Sequence, residues 1–127
     1  RKFSKIIFAK YFLLVGVSYR EDTNDTRYSP AENVLNFFKK MNCKIRFYDP
    51  IVNYWDFTNS YSIKKSELKN FDVYVFLTKH HLFKNLNILY KKKSLILDLN
   101  HVIEENQRLK ISQNKNYQSY FIGSKQL

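Results

Sequence analysis

The sequence predicts an α/β domain built on a mostly parallel, doubly wound sheet. Three observations carry that expectation. Short unbroken apolar runs at 11–15 (YFLLV), 72–78 (DVYVFLT) and 95–99 (LILDL) have the length and continuity of strands buried on both faces. Between them lie stretches with helical spacing, so strand and helix patterns alternate. Finally, 127 residues with 44% hydrophobic and 17% aromatic content suffice for one domain with a real core and argue against disorder.

Residues 1–10 carry Phe3, Ile6 and Ile7 at helical spacing and read as the end of an upstream connecting helix or a fragment boundary; the domain proper is 11–127. The basic start has no initiator Met and no small-residue cleavage site, so it does not read as a signal peptide. After the first strand, Ser29 and Glu32 stand at capping-box spacing, with Pro30 at the first helical position, where its missing N–H costs nothing. Val34, Phe37, Phe38 and Met41 then repeat at i, i+3, i+4, i+7 as one helical stripe, and Asn42 suits a left-handed cap. Residues 44–48 alternate, with Ile45 and Phe47 on one face, and Asp49-Pro50 turns the chain.

Residues 51–62 read as an aromatic-rich connection, and 62–70 as a short helix packing Ile63 and Leu68 inward. Residues 72–78 are a β-branched and aromatic strand, 82–90 a helix, and 95–99 a strand with Asp98 near its carboxyl end. The polar stretch 104–116 allows a helical turn or two, and Tyr120-Phe121-Ile122 a last edge strand. The whole reads as a Rossmann-like three-layer sandwich.

The connection 17–29 is far longer than the two to six residues of an ordinary βα loop. It holds Arg20 and Arg27, two of the chain's five arginines, and Glu21, Asp22 and Asp25. A charged loop at the carboxyl end of a parallel strand is where α/β proteins place ligands. Arginine forks suit phosphate oxygens through bidentate, charge-assisted bonds. The bland alternative is a local ion pair with Asp22 or Asp25, a contact that stabilises little when exposed.

Composition narrows the remaining classes. Lys plus Arg is 22 and Asp plus Glu is 11, giving a net charge of +11. Because most of these cations are lysines spread from end to end, they read as solvated residues; any polyanion attraction would be nonspecific and salt-sensitive. No apolar run approaches the roughly 20 residues of a membrane span. Gly16 and Gly123 are the only glycines, which leaves no G-x-G-x-x-G fingerprint and no P-loop. Asp49 occupies the place of a ribose-binding acid but reads as a turn cap without those glycines. Cys43, the single thiol, reads as packing, and its solitude fits a reducing cytosol. His80-His81 has no third clustered ligand for a metal and reads as a surface or supporting pair.

GVSYREDTNDTRYSP (residues 16–30) resembles the signature opening the carboxyl-terminal UDP-binding domain of the UDP-glucose/GDP-mannose dehydrogenase family, approximately G-x-[AS]-[YF]-K-x-[DN]-x-x-D-x-R-x-S-P. Later blocks resemble that family in order: NCKIRFYDPIV, FDVYVFLTKHHLF, LILDLNHVI and the closing FIG at 121–123. The resemblance implies an NAD-dependent oxidation of the C6 hydroxyl of a nucleotide sugar to a carboxylate, with UDP-glucose as the reference substrate. It implies that upstream domains bind NAD, mediate homodimerisation and carry the catalytic Cys. Cys43 does not match that Cys, so no catalytic residue and no metal ligand is expected here, and the isolated domain should not turn over.

Carried over by position, Tyr19 and Arg20 are expected to contact the UDP-sugar, as are Asp98 and Asn100. Arg27 is expected on the cofactor side, with Asp25 and Ser29 structuring the loop. Two departures stand out: Arg20 replaces the usual Lys, and Asn100, followed by His101, replaces a frequent Arg. The implied partners are a UDP-sugar and the remaining domains of a cytoplasmic enzyme, with no specific nucleic acid and no membrane. The alternatives are a noncatalytic binding module that retains the fold and a basic nucleic-acid binder.

Overall fold

A computed structural model describes residues 11–121, so the expectations for residues 1–10, Ile122 and Gly123 lie outside the described residues. In chain order the elements are β1 (Tyr11–Val15), α1 (Pro30–Lys39), β2 (Lys44–Tyr48), β3 (Tyr54–Trp55), β4 (Ser60–Tyr61), β5 (Val73–Phe76), β6 (Leu95–Asp98), α2 (Glu105–Gln113) and β7 (Gln118–Phe121). Short 3-10 turns occupy Lys65–Glu67 and His81–Asn85. The main sheet has the order β2-β1-β5-β6-β7, and every neighbouring pair is parallel.

Strand alternation builds the two cores. Phe12 and Leu14 of β1, Val73 and Val75 of β5, and Leu95 and Leu97 of β6 face the layer formed by α1 and Trp55. Leu13 and Val15, Tyr74 and Phe76, and Ile96 face the opposite layer, which contains Ile63, Leu68, Phe83 and Ile111. Each fully buried side chain of this size contributes about 1.5–3 kcal/mol relative to exposure. The expected α/β class and three-layer arrangement are therefore both present, and the strands are continuous apolar runs because water reaches neither sheet face.

Four local expectations change, the simplest being 62–70, where the expected short helix is reduced to the 3-10 turn Lys65–Glu67. The buried face of α1 is Ala31, Leu35 and Phe38, with Val34 and Met41 only partly covered, and Phe37 is exposed. Adjacent residues on a helix point about 100° apart, so Phe37 and Phe38 cannot both face the sheet. Phe38 takes the inner place, its ring 4.7 Å from that of Phe12.

The expected helix over 82–90 is reduced to the turn His81–Asn85. Leu86, Ile88 and Tyr90 then pack on the core at every second residue, whereas Leu89 is exposed. That is an extended-chain period, not a helical one. Within 51–62, β3 and β4 form a small antiparallel hairpin that sinks Trp55 against Phe47; two-residue strands are too short to show a period.

No helix among the described residues is long and apolar enough to cross a membrane.

Candidate functional site

Strand order reverses direction between β1 and β5: the chain passes from β1 outward to β2, then returns to the other side of β1. Ligands of open α/β sheets bind at such a switch point, outside the carboxyl ends of the strands. The 17–29 loop rises there. Gly16 makes the exit possible, because its φ is +82° and a Cβ would overlap the Thr78 carbonyl. Its N–H donates to Tyr48 O at 2.9 Å, which keeps the β1 and β2 ends together.

Beyond Gly16 the loop is tied down by buried polar groups. Val17 N–H donates to Asp49 Oδ2 at 2.9 Å, and Asp49 Oδ1 accepts from the Ile51 and Val52 amides at 2.9 Å each. Asp49 Oδ2 also meets His80 Nε2 at 2.9 Å. Ser18 O accepts from the Thr78 hydroxyl at 2.9 Å and the Ser29 hydroxyl at 3.2 Å. Asp49 thus does cap its turn, as expected, and it is sealed; it offers nothing to a ribose.

The far side of the loop closes on α1. Ser29 is the N-cap, its hydroxyl accepting from Ala31 N–H at 3.1 Å. Asp25 O accepts from Tyr19 N–H at 2.6 Å, which closes the loop across its neck. The Asp25 carboxylate takes a fork from Arg27: Nε to Oδ1 at 3.0 Å and one terminal nitrogen to Oδ2 at 2.9 Å. The Arg27 backbone N–H also donates to Oδ1 at 3.0 Å. Side-chain and backbone donation from Arg27 hold the Asp25 carboxyl down at about 2.

The two arginines therefore differ. Arg27 already has a partner, yet its side chain stays 82% exposed, and the guanidinium retains further N–H donors facing away from the pair. The Arg20 side chain is exposed and makes no hydrogen bond or ion pair among the described residues, although the Arg20 carbonyl accepts from the Ser18 hydroxyl at 2.8 Å. Tyr19 beside it is 55% exposed. Tyr28 reaches 88% exposure with φ at +59°, an uncommon conformation for an aromatic residue.

At the β6 end the structure corrects one expectation. Asp98 is fully buried and all its capacity is spent inside the protein. Oδ1 accepts from the Asn100 and Val102 amides at 3.2 and 2.9 Å; Oδ2 accepts from Ile103 N–H at 2.8 Å and from Arg108 at 3.1 Å. A carboxylate enclosed in this way cannot touch a ligand; it shapes the 98–103 turn. Asn100 stays exposed on that turn, its side-chain N–H donating to Leu77 O at 2.9 Å, which leaves its side-chain oxygen as the group on offer. Arg108 was missed by sequence reading, as were Ser18, Thr78 and the link between Asp49 and His80. The one available signal was a carboxylate at the carboxyl end of two strands, Asp49 after 44–48 and Asp98 within 95–99, since a buried charge needs partners.

Cys43 is half-buried, its Sγ donates to Phe38 O at 3.3 Å, and burial pushes its thiol up. No group of three or more metal-ligating side chains exists among the described residues. A cleft of about 520 Å³ lies on the α2 flank, lined by Lys84, Tyr90, Gln107, Lys110 and Tyr117 among others, away from the charged loop. The switch point and the exposed Arg20 side chain favour the loop over this cleft.

Residues 13–105 match the family model described as the UDP-glucose/GDP-mannose dehydrogenase family, UDP binding domain. The chain is 30% identical over 98 residues to the UDP-N-acetyl-D-mannosamine dehydrogenase of Methanococcus vannielii, covering 72% of this chain and 22% of that protein. It is 29% identical over 91 residues to the Methanococcus aeolicus enzyme of the same name, covering 72% and 19%. In fold it is similar to a solved NDP-N-acetyl-D-galactosaminuronic acid dehydrogenase from Methanosarcina mazei Go1, with a TM-score of 0.77 at 20% identity, over 96% of this chain and 26% of that one. The chain thus spans about a fifth of the length of its curated relatives.

Proposed function

This chain belongs to the UDP-glucose/GDP-mannose dehydrogenase family, and from that premise we propose that residues 11–127 are the nucleotide-sugar-binding part of a cytoplasmic, NAD-dependent UDP-sugar 6-dehydrogenase. The observation that carries the reading is Arg20: a guanidinium with no partner in the described residues, on a loop whose backbone is pinned at the switch point of a parallel sheet. Arg20 grips the diphosphate and Tyr19 offers its exposed ring beside it. Asn100 accepts from the nucleoside at the next strand end but one, while Asp98 acts only by shaping its turn. The outward N–H groups of Arg27 reach the cofactor side of the cleft, with Asp25 holding the fork in plane. The names of the two curated relatives favour a UDP-N-acetylhexosamine over UDP-glucose as substrate.

NAD belongs to other domains in this reading: the chain has no glycine-rich turn, and Asp49 is enclosed by four donors. The hydride steps also belong elsewhere, and this domain supplies binding energy that places the sugar for them. The remaining domains of a homodimeric enzyme are the expected partners.

Calorimetric titration of the 127-residue chain with UDP and UDP-N-acetylglucosamine tests the reading. A charge-assisted bond to phosphate contributes about 1.5–3 kcal/mol, so Arg20→Ala should weaken both ligands by about tenfold or more. Unchanged affinity in that variant, or no binding by the unaltered chain at millimolar UDP, would overturn the assignment.

A further inference from the structure

His80 is 1% exposed and stands between the β2 end, the β5 end and the charged loop. Its Nδ1 receives the Asp22 backbone N–H at 3.0 Å. An amide N–H can only donate, so Nδ1 carries a lone pair, and in a neutral ring the proton is on Nε2. That Nε2–H points to Asp49 Oδ2 at 2.9 Å, with Ser18 Oγ alongside at 3.2 Å. The Phe83 ring, 5.5 Å away centroid to centroid, closes the apolar side.

Ser, His and Asp thus meet, but not as a nucleophilic relay. Ser18 and Asp49 share one ring nitrogen, and the Ser18 hydroxyl donates to Arg20 O at 2.8 Å. A relay needs the acid and the nucleophile on opposite nitrogens. What the arrangement does instead is fix backbone. Through Ser18 it reaches the Arg20 carbonyl, and through Nδ1 it holds the Asp22 amide, at a residue whose φ is +57°. Asp22 returns the contact by accepting from His81 N–H at 2.7 Å. The turn carrying Arg20 is therefore clamped on both sides.

We infer that His80 is a positioning residue: a neutral, Nε2-protonated imidazole that bolts the 18–22 turn to Asp49 and so fixes where Tyr19 and Arg20 present themselves to the diphosphate. This rests on the nucleotide-binding reading for its functional consequence, while the clamp itself is a statement about the loop. The acceptor at Nδ1 is the essential half, because it alone holds the Asp22 side of the turn. The donor at Nε2 anchors the ring.

Two substitutions separate these halves. In His80→Asn the side-chain oxygen takes the place of Nδ1, and in His80→Gln the side-chain amide takes the place of Nε2. Long-range imidazole nitrogen–proton spectra of the 127-residue chain should show the Nε2–H tautomer at neutral pH; an Nδ1–H or doubly protonated ring would overturn the inference. Amide signals of residues 19–25, recorded with no nucleotide added, should stay near their original positions in His80→Asn and scatter in His80→Gln. Affinity for UDP-N-acetylglucosamine should follow, falling about tenfold in His80→Gln and recovering in His80→Asn. Equal behaviour of the two variants would overturn the inference. Failure of the unaltered chain to bind nucleotide would sink the functional reading and leave the amide signals as an independent test of the clamp.

Discussion

Two strands of the sheet end in a buried aspartate, and the two are built alike up to one partner. Asp49 closes β2 and Asp98 closes β6; each accepts three backbone amides and one side-chain donor. At Asp98 the side chain is Arg108, a permanent cation that is itself 2% exposed. At Asp49 it is His80, whose other ring nitrogen accepts from the Asp22 amide of the 18–22 turn. The difference teaches a division of labour. The β6 end is a closed ion pair whose work is to hold the 98–103 turn. The β2 end is a relay of hydrogen bonds that passes the strand's position on to the loop bearing Arg20.

The largest effect should come from breaking the closed pair. Asp98→Ala removes the carboxylate from the buried Asp98–Arg108 pair, and breaking such a pair costs about 3–5 kcal/mol. Denaturant unfolding should register that loss in full; a change below about 1 kcal/mol would mean that Arg108 is not relying on Asp98. Asp49→Asn should cost less, about 1–3 kcal/mol, because its partner carries no charge to be stranded. Equal losses at the two sites would erase the distinction drawn between them.

The smallest effect belongs to the exposed pair that resembles neither. Arg27 holds the Asp25 carboxyl at about 2, below its usual 3.8. A carboxyl lowered in the folded state contributes above its ordinary range and loses that contribution as pH falls toward its folded value. The Asp25–Arg27 fork should thus persist through about pH 4 and open as pH approaches 2, read from the carboxyl carbon signal of Asp25. Because the pair is exposed, Asp25→Asn should leave the unfolding midpoint unmoved within error. A transition near 4 would show that the fork does not form in solution.

The sheet was legible because β1, β5 and β6 are buried on both faces and so are written as unbroken apolar runs. The start of α1 was legible for a local reason, the Ser29 cap and Pro30; its end falls at the Lys40 cap, two residues before Asn42, which does adopt φ +53°. The charged loop announced itself by length and charge. The partners of the two strand-end acids did not, since His80 and Arg108 lie 31 and 10 residues away from them and only the fold brings them together. Asp98 was read as a ligand group for the same reason: its residue type fits a nucleoside contact, and only burial shows that it faces inward. The stretch 86–90 misled because five residues with apolar groups at every second position fit inside a helical window as well.

The central claim is that nucleotide diphosphate meets this domain at the carboxyl ends of β1 and β6, on Arg20, Tyr19 and Asn100. Mapping nitrogen–proton signals of the 127-residue chain during a UDP titration tests it most directly. The account predicts that the amides of Tyr19, Arg20 and Asn100 move together along one saturating curve, while Lys84, Gln107 and Lys110 of the α2-flank cleft stay still. Saturating shifts confined to that cleft, with the 19–22 and 98–101 signals unmoved, would contradict it.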